Sequence, residues 1–376
     1  MRIFRDINWK RLDYISITIM TLLLMVGIYC LRQEDLVSGG TSGLYKKQLF
    51  GVAVGLVVFV VAILIDYRTI CRNAYVLYGG IVLILAYTLA FAEPINNVKR
   101  WVKIAGIQLQ PSELAKTVLI LFIAFLCEYF YEEMYRYKTF FILCAAVGLP
   151  LVLIVLEPHL SSTLVIVFVF GVMLLMSGMS YKIIGKVAAV VVPAVVALVI
   201  AVGVFDVKVP FIQQYQVKRV LSFLSDDKEE DMQGKYQQNQ ALTAIASGGK
   251  NGKIVDDEGS SVRAFGAIYA NESDFVFSIV GEEFGFIGCT IILLLYFILV
   301  TRCLYIGINA PDYMGQMICI GISAMLMFQT FANVGVATSI LPNTGLPLPF
   351  ISYGLTSLVN SFAAVAVVVN VGLRSR

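Results

Sequence analysis

Asp274, Glu282 and Glu283 stand at the start of a long apolar stretch, in the segment NESDFVFSIVGEEFGFIG at 271–288. Asp274 precedes the apolar run, so it is a candidate helix cap and also a candidate general base at a membrane–water boundary. Glu282 and Glu283 lie deeper, and neighbouring residues on a helix point in different directions, so we expect at most one of them to face a polar interior. A proton relay and a contact that fixes the helix are both open for this pair.

A second stretch with charged residues runs into an apolar span, in EPINNVKRWVKIAGIQLQPSELAK at 93–116. Pro111 is typical of a first helical turn, and Glu113 suits the positive end of the helix dipole. Glu113 and Lys116 are three residues apart and therefore share a helix face. Two interpretations of Lys116 stay open: a lysine paired with Glu113, or a cation that meets an anionic substrate with Lys99 and Arg100 beside it. For Lys99 alone, a side chain that extends to water is favoured.

Two further segments contain helix-breaking residues. LPNTGLPLPFISYGLTSLVNS at 341–361 places Pro347, Pro349 and Gly354 near an apolar span, which predicts irregular backbone that is buried or lines a polar cavity. The glycine cluster at 248–252 could let backbone amides approach phosphates, although a plain turn is favoured.

Composition places these segments in a membrane protein. The chain has 376 residues, of which 59% are hydrophobic and 14% are charged. Soluble domains carry about 25% charged residues, and long apolar runs recur throughout, so we predict an all-α polytopic membrane protein. There is no basic patch interleaved with aromatic residues, so no nucleic-acid partner is expected. The ten predicted spans are 13–31, 48–65, 74–92, 113–130, 139–156, 160–178, 183–204, 275–300, 313–340 and 350–372.

The distribution of lysine and arginine predicts the orientation. With a cytoplasmic N-terminus, the inside segments hold 13 basic residues and the short outside loops hold 6. We therefore expect both termini in the cytoplasm of a bacterial cell, with the chain in its cytoplasmic membrane. Residues 1–376 then form a single integral membrane domain, with a large extracytoplasmic loop at 205–274.

Four segments, in this order, resemble the SEDS family (shape, elongation, division and sporulation proteins): KRWVKIAGIQLQPSELAK, YQQNQALTAIASGG, SDFVFSIVGEEFGFIG and LPNTGLPLPFISYG. The resemblance covers nearly the whole chain. The GLPLPFISYG form, the short termini and the length look more like the RodA (elongation) branch than the FtsW (division) branch.

The resemblance implies a ten-helix peptidoglycan glycosyltransferase that polymerises lipid II for the cell wall and cell shape, together with a class B penicillin-binding protein. It puts the family's essential aspartate on Asp274, and its glutamine-proline-serine-glutamate motif and following lysine on Gln110 to Glu113 and Lys116. The chain departs from the family pattern at four positions, which are Tyr269, Ala270, His159 (for aspartate) and Leu355 (for glycine).

The implied chemistry assigns roles to these residues. Asp274 would accept the proton of a sugar hydroxyl that attacks the anomeric carbon in a single inverting displacement. The leaving pyrophosphate needs cations, for which Lys116, Arg100, Lys46 and Lys47 are candidates, with a divalent cation as a further candidate and no metal-binding residues identified.

The roles of the remaining residues are structural in this interpretation. Glu282 and Glu283 would hold the eighth span against its neighbours. The partner's anchor is expected on the eighth and ninth spans, near Gly321, where small residues allow close helix approach, while ordinary packing within the bundle stays open for each single residue. Two other classes remain: a flippase for the same lipid-linked precursor, and a scaffold for the penicillin-binding protein.

Overall fold

The computed structural model describes residues 11–37, 43–93, 99–104, 107–157, 159–204, 232–256 and 273–374. Most residues in these ranges are helical, and one short antiparallel hairpin lies between the fourth and fifth helices. In chain order the elements are α1 (Tyr14–Val37), α2 (Leu44–Leu64), α3 (Tyr67–Arg72), α4 (Ala74–Phe91), β1 (Val102–Ile104), β2 (Ile107–Leu109), α5 (Pro111–Tyr129), α6 (Tyr137–Leu156), α7 (Leu160–Met176), α8 (Tyr181–Val204), α9 (Met232–Ser247), α10 (Lys253–Asp256), α11 (Val276–Ile308), α12 (Tyr313–Ala337) and α13 (Leu355–Leu373).

A helix overlaps each of the ten predicted spans. Seven helices in the described part of the chain are long and apolar enough to cross a membrane, namely α1, α2, α4, α6, α11, α12 and α13. Helix α5 contains the charged residues Glu113, Lys116 and Glu128, and α7 has only 17 residues. The chain is therefore a polytopic helical membrane protein.

Local sequence sets several helix ends. Asp312 caps α12 by accepting the backbone N–H of Gly315 at 2.8 Å, and Asp66 caps α3 by accepting that of Arg68 at 2.9 Å. Helix α5 begins at Pro111, as predicted, because a proline lacks the N–H that the first turn leaves unpaired in any case.

The bundle is built around α12 and α13, which are the most buried of the seven candidate spans. Gly321 of α12 faces inward, since a Cβ added there would lie 2.6 Å from Ile120 of α5 and 2.9 Å from Met173 of α7. The expectation that Gly321 belongs to a lipid-facing groove for a partner was therefore wrong. Its small size serves close packing of α12 within the bundle.

Helix α11 is interrupted inside the chain's apolar run. Gly285 has φ 63° and ψ −164°, which is a conformation that side chains disfavour, and it divides α11 into a first part at 276–284 and a second part at 286–308. The turn after α9 enters this break: a Cβ on Gly252 would lie 2.2 Å from the carbonyl oxygen of Glu283. The glycine cluster at 248–252 is thus a close-packing turn, as favoured over a phosphate site.

The two ends of the bundle can be named by one residue each. Asp274 lies at the end where α2, α5, α7 and α13 begin, which we call the Asp274 end. Arg374 lies at the opposite end with α3 and the start of α12, which we call the Arg374 end.

Candidate functional site

Asp274 lies in the turn that precedes α11. The N-cap residue of α11 is Phe275, which makes no side-chain capping bond, so the structure does not place Asp274 in the capping position. The side-chain amide of Asn333 on α12 donates to the carbonyl oxygens of Asp274 at 2.9 Å and of Leu346 at 2.7 Å. One amide group therefore fastens the Asp274 turn to the segment between α12 and α13.

That segment, at 342–350, has the irregular backbone that its prolines predict. The hydroxyl of Ser352 accepts the backbone N–H of Leu348 at 2.8 Å and donates to the carbonyl oxygen of Ser273 at 2.6 Å. Pro347 and Pro349 lie within this stretch, and Gly354, with φ 156°, immediately precedes α13. The structural role of these three residues stays a prediction.

The carboxylate of Asp274 lies against the backbone of this segment. A Cβ on Gly345, which has φ 70°, would lie 3.1 Å from Oδ2 of Asp274 and 3.9 Å from Oγ of Ser161 on α7. Ser161 donates a hydrogen bond to the carbonyl oxygen of Thr344. A side chain at 345 would therefore crowd the carboxylate, which is partly exposed.

A cleft of about 860 Å³ opens beside the Asp274 turn. Ser273, the neighbour of Asp274, lines it together with Lys46 and Lys47 from the first turn of α2. The lysines are exposed. The remaining lining residues are Phe50, Trp101, Lys103, Gln108, Tyr353, Gly354 and Leu355. Cations and aromatic rings in one cleft suit an anionic ligand with apolar sugar faces.

Lys116 and Glu113 form a buried ion pair. Nζ of Lys116 lies 2.7 Å from Oε1 of Glu113, and the two side chains are 1% and 4% exposed. Ser162 of α7 donates to the same carboxylate oxygen at 3.4 Å. Because Lys116 is enclosed, it does not reach the cleft directly in this conformation, in contrast to the lysines on α2. The pairing with Glu113 is the first of the two interpretations that the sequence left open.

His159 lies at the centre of a second polar group at the Asp274 end. Its Nε2 lies 3.2 Å from the amide nitrogen of Gln110, and its Nδ1 lies 3.1 Å from Oγ of Ser112. The amide nitrogen of Gln110 can only donate, so Nε2 accepts and Nδ1 carries the proton. Burial lowers the pKa of His159 well below its ordinary value, and Arg100 and Lys116 lower that pKa further. The imidazole is therefore neutral, at a position where the resemblance implies an aspartate.

Arg100 and Lys99 both hold main-chain carbonyls. Arg100 donates from Nε to the carbonyl oxygen of Glu157 at 3.0 Å. Lys99 donates to the carbonyl oxygen of Ala90, at 3.2 Å, near the C-terminal end of α4, which is a favourable place for a cation. The side chain of Glu157 is buried, and neither of its carboxyl oxygens has a hydrogen-bond partner among the described residues. Burial raises the pKa of Glu157 to about 8, although Arg100 acts in the opposite direction.

Glu282 and Glu283 are both buried, at 0% and 8% exposure. The prediction that at most one faces the interior was therefore wrong, because protein covers this helix on two sides. Glu282 is paired with Lys253 of α10 at 2.5 Å, while Tyr29 of α1 donates to Glu283 at 3.4 Å. Each glutamate thus contacts a neighbouring helix, and the role of holding the eighth span stays a prediction.

Sequence reasoning missed Asn333, Ser352, Ser161 and Gln238. The amide of Gln238 on α9 donates to the carbonyl oxygens of Val336 and Leu341. A polar residue in a span with no nearby charge was the available signal, as in the segment MFQTFANVG around Asn333. Tyr269 and Ala270 lie outside the described residues, whereas Leu355 lines the cleft.

No group of three or more His, Cys, Asp or Glu side chains in the described ranges could hold a metal ion. These residues do not by themselves fit the divalent cation that the sequence left as a candidate.

Comparisons with known proteins agree on the family. The model of the cell cycle protein family of FtsW, RodA and SpoVE matches residues 11–376. A probable peptidoglycan glycosyltransferase FtsW of Geobacter metallireducens is 30% identical, over 98% of this chain and 98% of its own. The peptidoglycan glycosyltransferase MrdB of Escherichia coli is 28% identical, over 96% of this chain and 94% of its own.

A solved structure, described as the structural coordination of polymerization and crosslinking by a peptidoglycan synthase complex, has a chain that is 26% identical to this one. It superposes with a TM-score of 0.76 over 97% of each chain. The family model spans nearly all of the chain, and the fold agrees along the same length. The chain therefore belongs to the FtsW, RodA and SpoVE family of cell cycle proteins, the SEDS family.

Proposed function

We propose that this chain is a peptidoglycan glycosyltransferase that polymerises lipid II into glycan strands. The observation that carries the proposal is the Asp274 turn, where Asp274 is partly exposed and its neighbour Ser273 borders a cleft of about 860 Å³ that is also lined by lysines. Such a cleft can take a sugar and a pyrophosphate next to a potential base. The names of the relatives, which include peptidoglycan glycosyltransferases, support the same activity.

In the proposed reaction, Asp274 accepts the proton of an attacking sugar hydroxyl. The new bond forms at the anomeric carbon of the donor sugar while its bond to the lipid pyrophosphate breaks, so the configuration inverts. The side-chain amide of Asn333 donates a hydrogen bond to the backbone carbonyl of Asp274, and this bond holds in place the turn that carries the carboxylate. A fixed base position is worth more than its basicity alone, because the reacting atoms must meet at a defined distance.

Negative charge develops on the leaving pyrophosphate, and lysines of the cleft are placed to meet it. Lys46 and Lys47 stand at the start of α2, where the positive end of the helix dipole adds to their charge. Lys103 of the hairpin lines the same cleft. Lys116 affects the cleft only indirectly. It is paired with Glu113, whose carboxylate also accepts a hydrogen bond from Ser162 of α7.

We also propose how the chain is oriented in the membrane. All ten apolar helices cross the cytoplasmic membrane of a bacterium, both termini are cytoplasmic, and residues 1–376 form one membrane domain. The Asp274 end then faces outward, with the 205–274 loop on the same side, where the sugars of lipid II are presented. The excess of basic residues at the opposite end supports this orientation.

A class B penicillin-binding protein is the proposed partner, because crosslinking must follow polymerisation of the strands. The similar chain in the solved peptidoglycan synthase complex supports this choice. Within the family we favour the elongation (RodA) branch on the GLPLPFISYG segment. Relatives named FtsW and MrdB are similar to nearly the same degree, so the segment alone carries that choice.

The rival functions make different demands on the structure. A flippase built from repeats would place its interrupted helices in corresponding halves of the chain. The two irregular stretches described here, the break at Gly285 and the segment at 342–350, both lie in the C-terminal half of the chain instead. A scaffold would not need the partly exposed carboxylate at all.

The experiment is polymerisation of lipid II by the purified protein in detergent, alone and with its penicillin-binding partner. Glycan strands are expected to form, and to shorten or vanish when Asp274 is replaced. A parallel assay of lipid II transfer across vesicles containing the protein tests the flippase. Transfer without polymerisation under both conditions would reject the proposal.

A further inference from the structure

The carboxylate of Asp274 is carried by the turn that opens the first part of α11, and this part is separated from the rest of the helix by a break. Gly285 interrupts α11, so the first part at 276–284 does not share continuous helical hydrogen bonding with the second part at 286–308. A rigid helix would hold Asp274 by its anchorage in the membrane. Here the break removes that support, so the orientation of the first part must come from contacts at its sides.

The turn between α9 and α10 fills the break. The backbone N–H groups of Phe286 and Ile287 donate to the carbonyl oxygens of Gly249 and Lys250, at 2.9 and 3.1 Å. These bonds satisfy donors at the start of the second part that the break leaves without helical partners. The contact is tight, because a Cβ on Gly285 would lie 2.3 Å from the backbone nitrogen of Gly252.

One charged contact joins this turn to the first part. Lys253 follows the turn directly, and its Nζ lies 2.5 Å from Oε1 of Glu282. Glu282 is fully buried, and Lys253 is 21% exposed. The ion pair fixes the position of the turn along the first part of α11, because moving Lys253 away would leave the buried carboxylate of Glu282 without this cation. Apolar contact along the same surface would tolerate sliding.

Helix α9 continues the contact to the other wall of the site. It packs against both α11 and α12. Gln238 bonds the carbonyl oxygens of Val336 and Leu341, at 3.2 and 2.8 Å, next to the irregular segment that borders the carboxylate. The unit of α9, the glycine turn and Lys253 therefore contacts both elements between which Asp274 lies.

We propose that Lys253 and Glu282 are a positioning pair for catalysis, which holds the first part of α11 so that Asp274 meets the substrate hydroxyl. The inference rests on the proposed function of Asp274. The pair touches neither the cleft nor the reacting atoms, so its removal lowers kcat and leaves the binding of lipid II unchanged.

The test compares Lys253→Met, Lys253→Arg and the control Lys250→Met in lipid II polymerisation. Lys250 is a lysine of the same turn whose side chain is exposed and whose backbone carbonyl is kept by the substitution. We expect Lys253→Met to lower kcat by about 10- to 100-fold with KM nearly unchanged, because small displacements of catalytic groups cost factors of this size. Lys253→Arg should recover most of the rate, and the control should match the wild type.

Hydrogen exchange of the 276–288 backbone in detergent gives a second readout that does not need activity. Exchange there should rise in Lys253→Met and not in Lys250→Met. A wild type that fails to polymerise lipid II would reject the proposed function. Faster exchange in Lys253→Met would then still show that Lys253 and Glu282 hold the first part of α11. Unchanged kcat in an active Lys253→Met variant, or unchanged exchange in any preparation, would overturn the positioning pair.

Discussion

The two ends of the bundle differ in how completely the oxygens of their enclosed carboxylates are bonded. At the Arg374 end the buried Asp13 is paired with Arg302 at 2.7 Å, and the half-buried Asp66 and Asp312 are paired with Arg374 at 3.3 Å and with Arg68 at 2.7 Å. At the Asp274 end Glu113 and Glu282 also have cations, but Oε2 of Glu113 and both carboxyl oxygens of Glu157 are buried without a hydrogen-bond partner among the described residues. An unsatisfied buried polar group costs about 1–3 kcal/mol.

This contrast indicates where the chain gives up stability. Closed pairs at the Arg374 end join loops to helix ends and have a structural role. The unbonded carboxyl oxygens of Glu113 and Glu157 lie at the same end of the bundle as the proposed base and the lysine-lined cleft. Proteins retain such destabilising groups mainly at functional sites. Substitutions at the Arg374 end should therefore change stability alone, and those at the Asp274 end should change turnover as well.

The largest loss of stability is expected from Lys116→Met. It leaves the Glu113 carboxylate buried without its cation, which destabilises by about 3–5 kcal/mol. We expect turnover to fall about 100-fold as well. Thermal unfolding in detergent and lipid II polymerisation measure the two effects.

The matched control for Lys116 is the double variant Lys116→Met with Glu113→Gln, which leaves no buried charge. It should regain most of the stability and none of the turnover. Recovery of both would mean that the pair is structural, and the contrast between the two ends would fail at its strongest point.

A pH-dependent effect is expected from Glu157. Its carboxyl stays protonated in the folded protein up to about pH 8, whereas in the unfolded chain it ionises above its ordinary pKa of 4.5. Folding therefore takes up a proton between these values. The contribution of Glu157 to the free energy of unfolding is fully present below about pH 4.5 and is lost as the pH rises through 8. Glu157→Gln should flatten this slope by up to about 1.4 kcal/mol per pH unit.

Melting temperatures between pH 5 and pH 9 would measure that slope. The control is Glu133→Gln, a half-exposed carboxylate paired with Arg136, which should leave the pH dependence as it is. Equal slopes for the wild type and Glu157→Gln would show that the buried carboxyl is not held protonated.

A smaller effect, on stability alone, is expected from Asp312→Ala at the Arg374 end. Asp312 accepts hydrogen bonds from Arg68 and from the hydroxyl of Tyr67, both at 2.7 Å, and it also caps α12. Losing these contacts should cost about 1–3 kcal/mol. The kcat for polymerisation should stay within twofold of the wild type, so a large loss of kcat would remove the distinction between the two ends.

The smallest effect is expected from the exposed lysines of the cleft. The double variant Lys46→Ala, Lys47→Ala should lower kcat/KM several-fold at low salt, and the loss should shrink as salt is added, because exposed charges are screened. Lys99→Ala is the control, since Lys99 is occupied by carbonyl oxygens at the end of α4. A loss that does not depend on salt would argue against a role in meeting an anionic group.

Hydropathy predicted the helices well because a membrane span needs a long apolar run that few other structures require. The sixth predicted span, at 160–178, corresponds to α7 at Leu160–Met176, and the fifth, at 139–156, to α6 at Tyr137–Leu156. The break at Gly285 escaped prediction because the apolar pattern continues through it and no proline marks it. Its cause lies in the turn at 248–252, which is distant in sequence.

The site was predictable in part for the same reason. Asp274 stood out as a carboxylate at the boundary of a predicted span. The buried state of Lys116 depends on α7, which covers it, and the partner of Glu282 is Lys253, 29 residues away. Such contacts between distant segments leave no local pattern in the sequence.

The most direct test of the central claim compares Asp274→Asn with the wild type and with Glu93→Gln in lipid II polymerisation. Both substitutions convert an acid to its amide at the same end of the bundle, and Glu93 is an exposed carboxylate paired with Lys103. We predict that Asp274→Asn loses about 100- to 10,000-fold in rate while it still inserts and folds, because a positioned base contributes factors of this size. The Glu93→Gln protein should polymerise at the wild-type rate. An Asp274→Asn protein that polymerises lipid II as fast as the wild type would contradict the account.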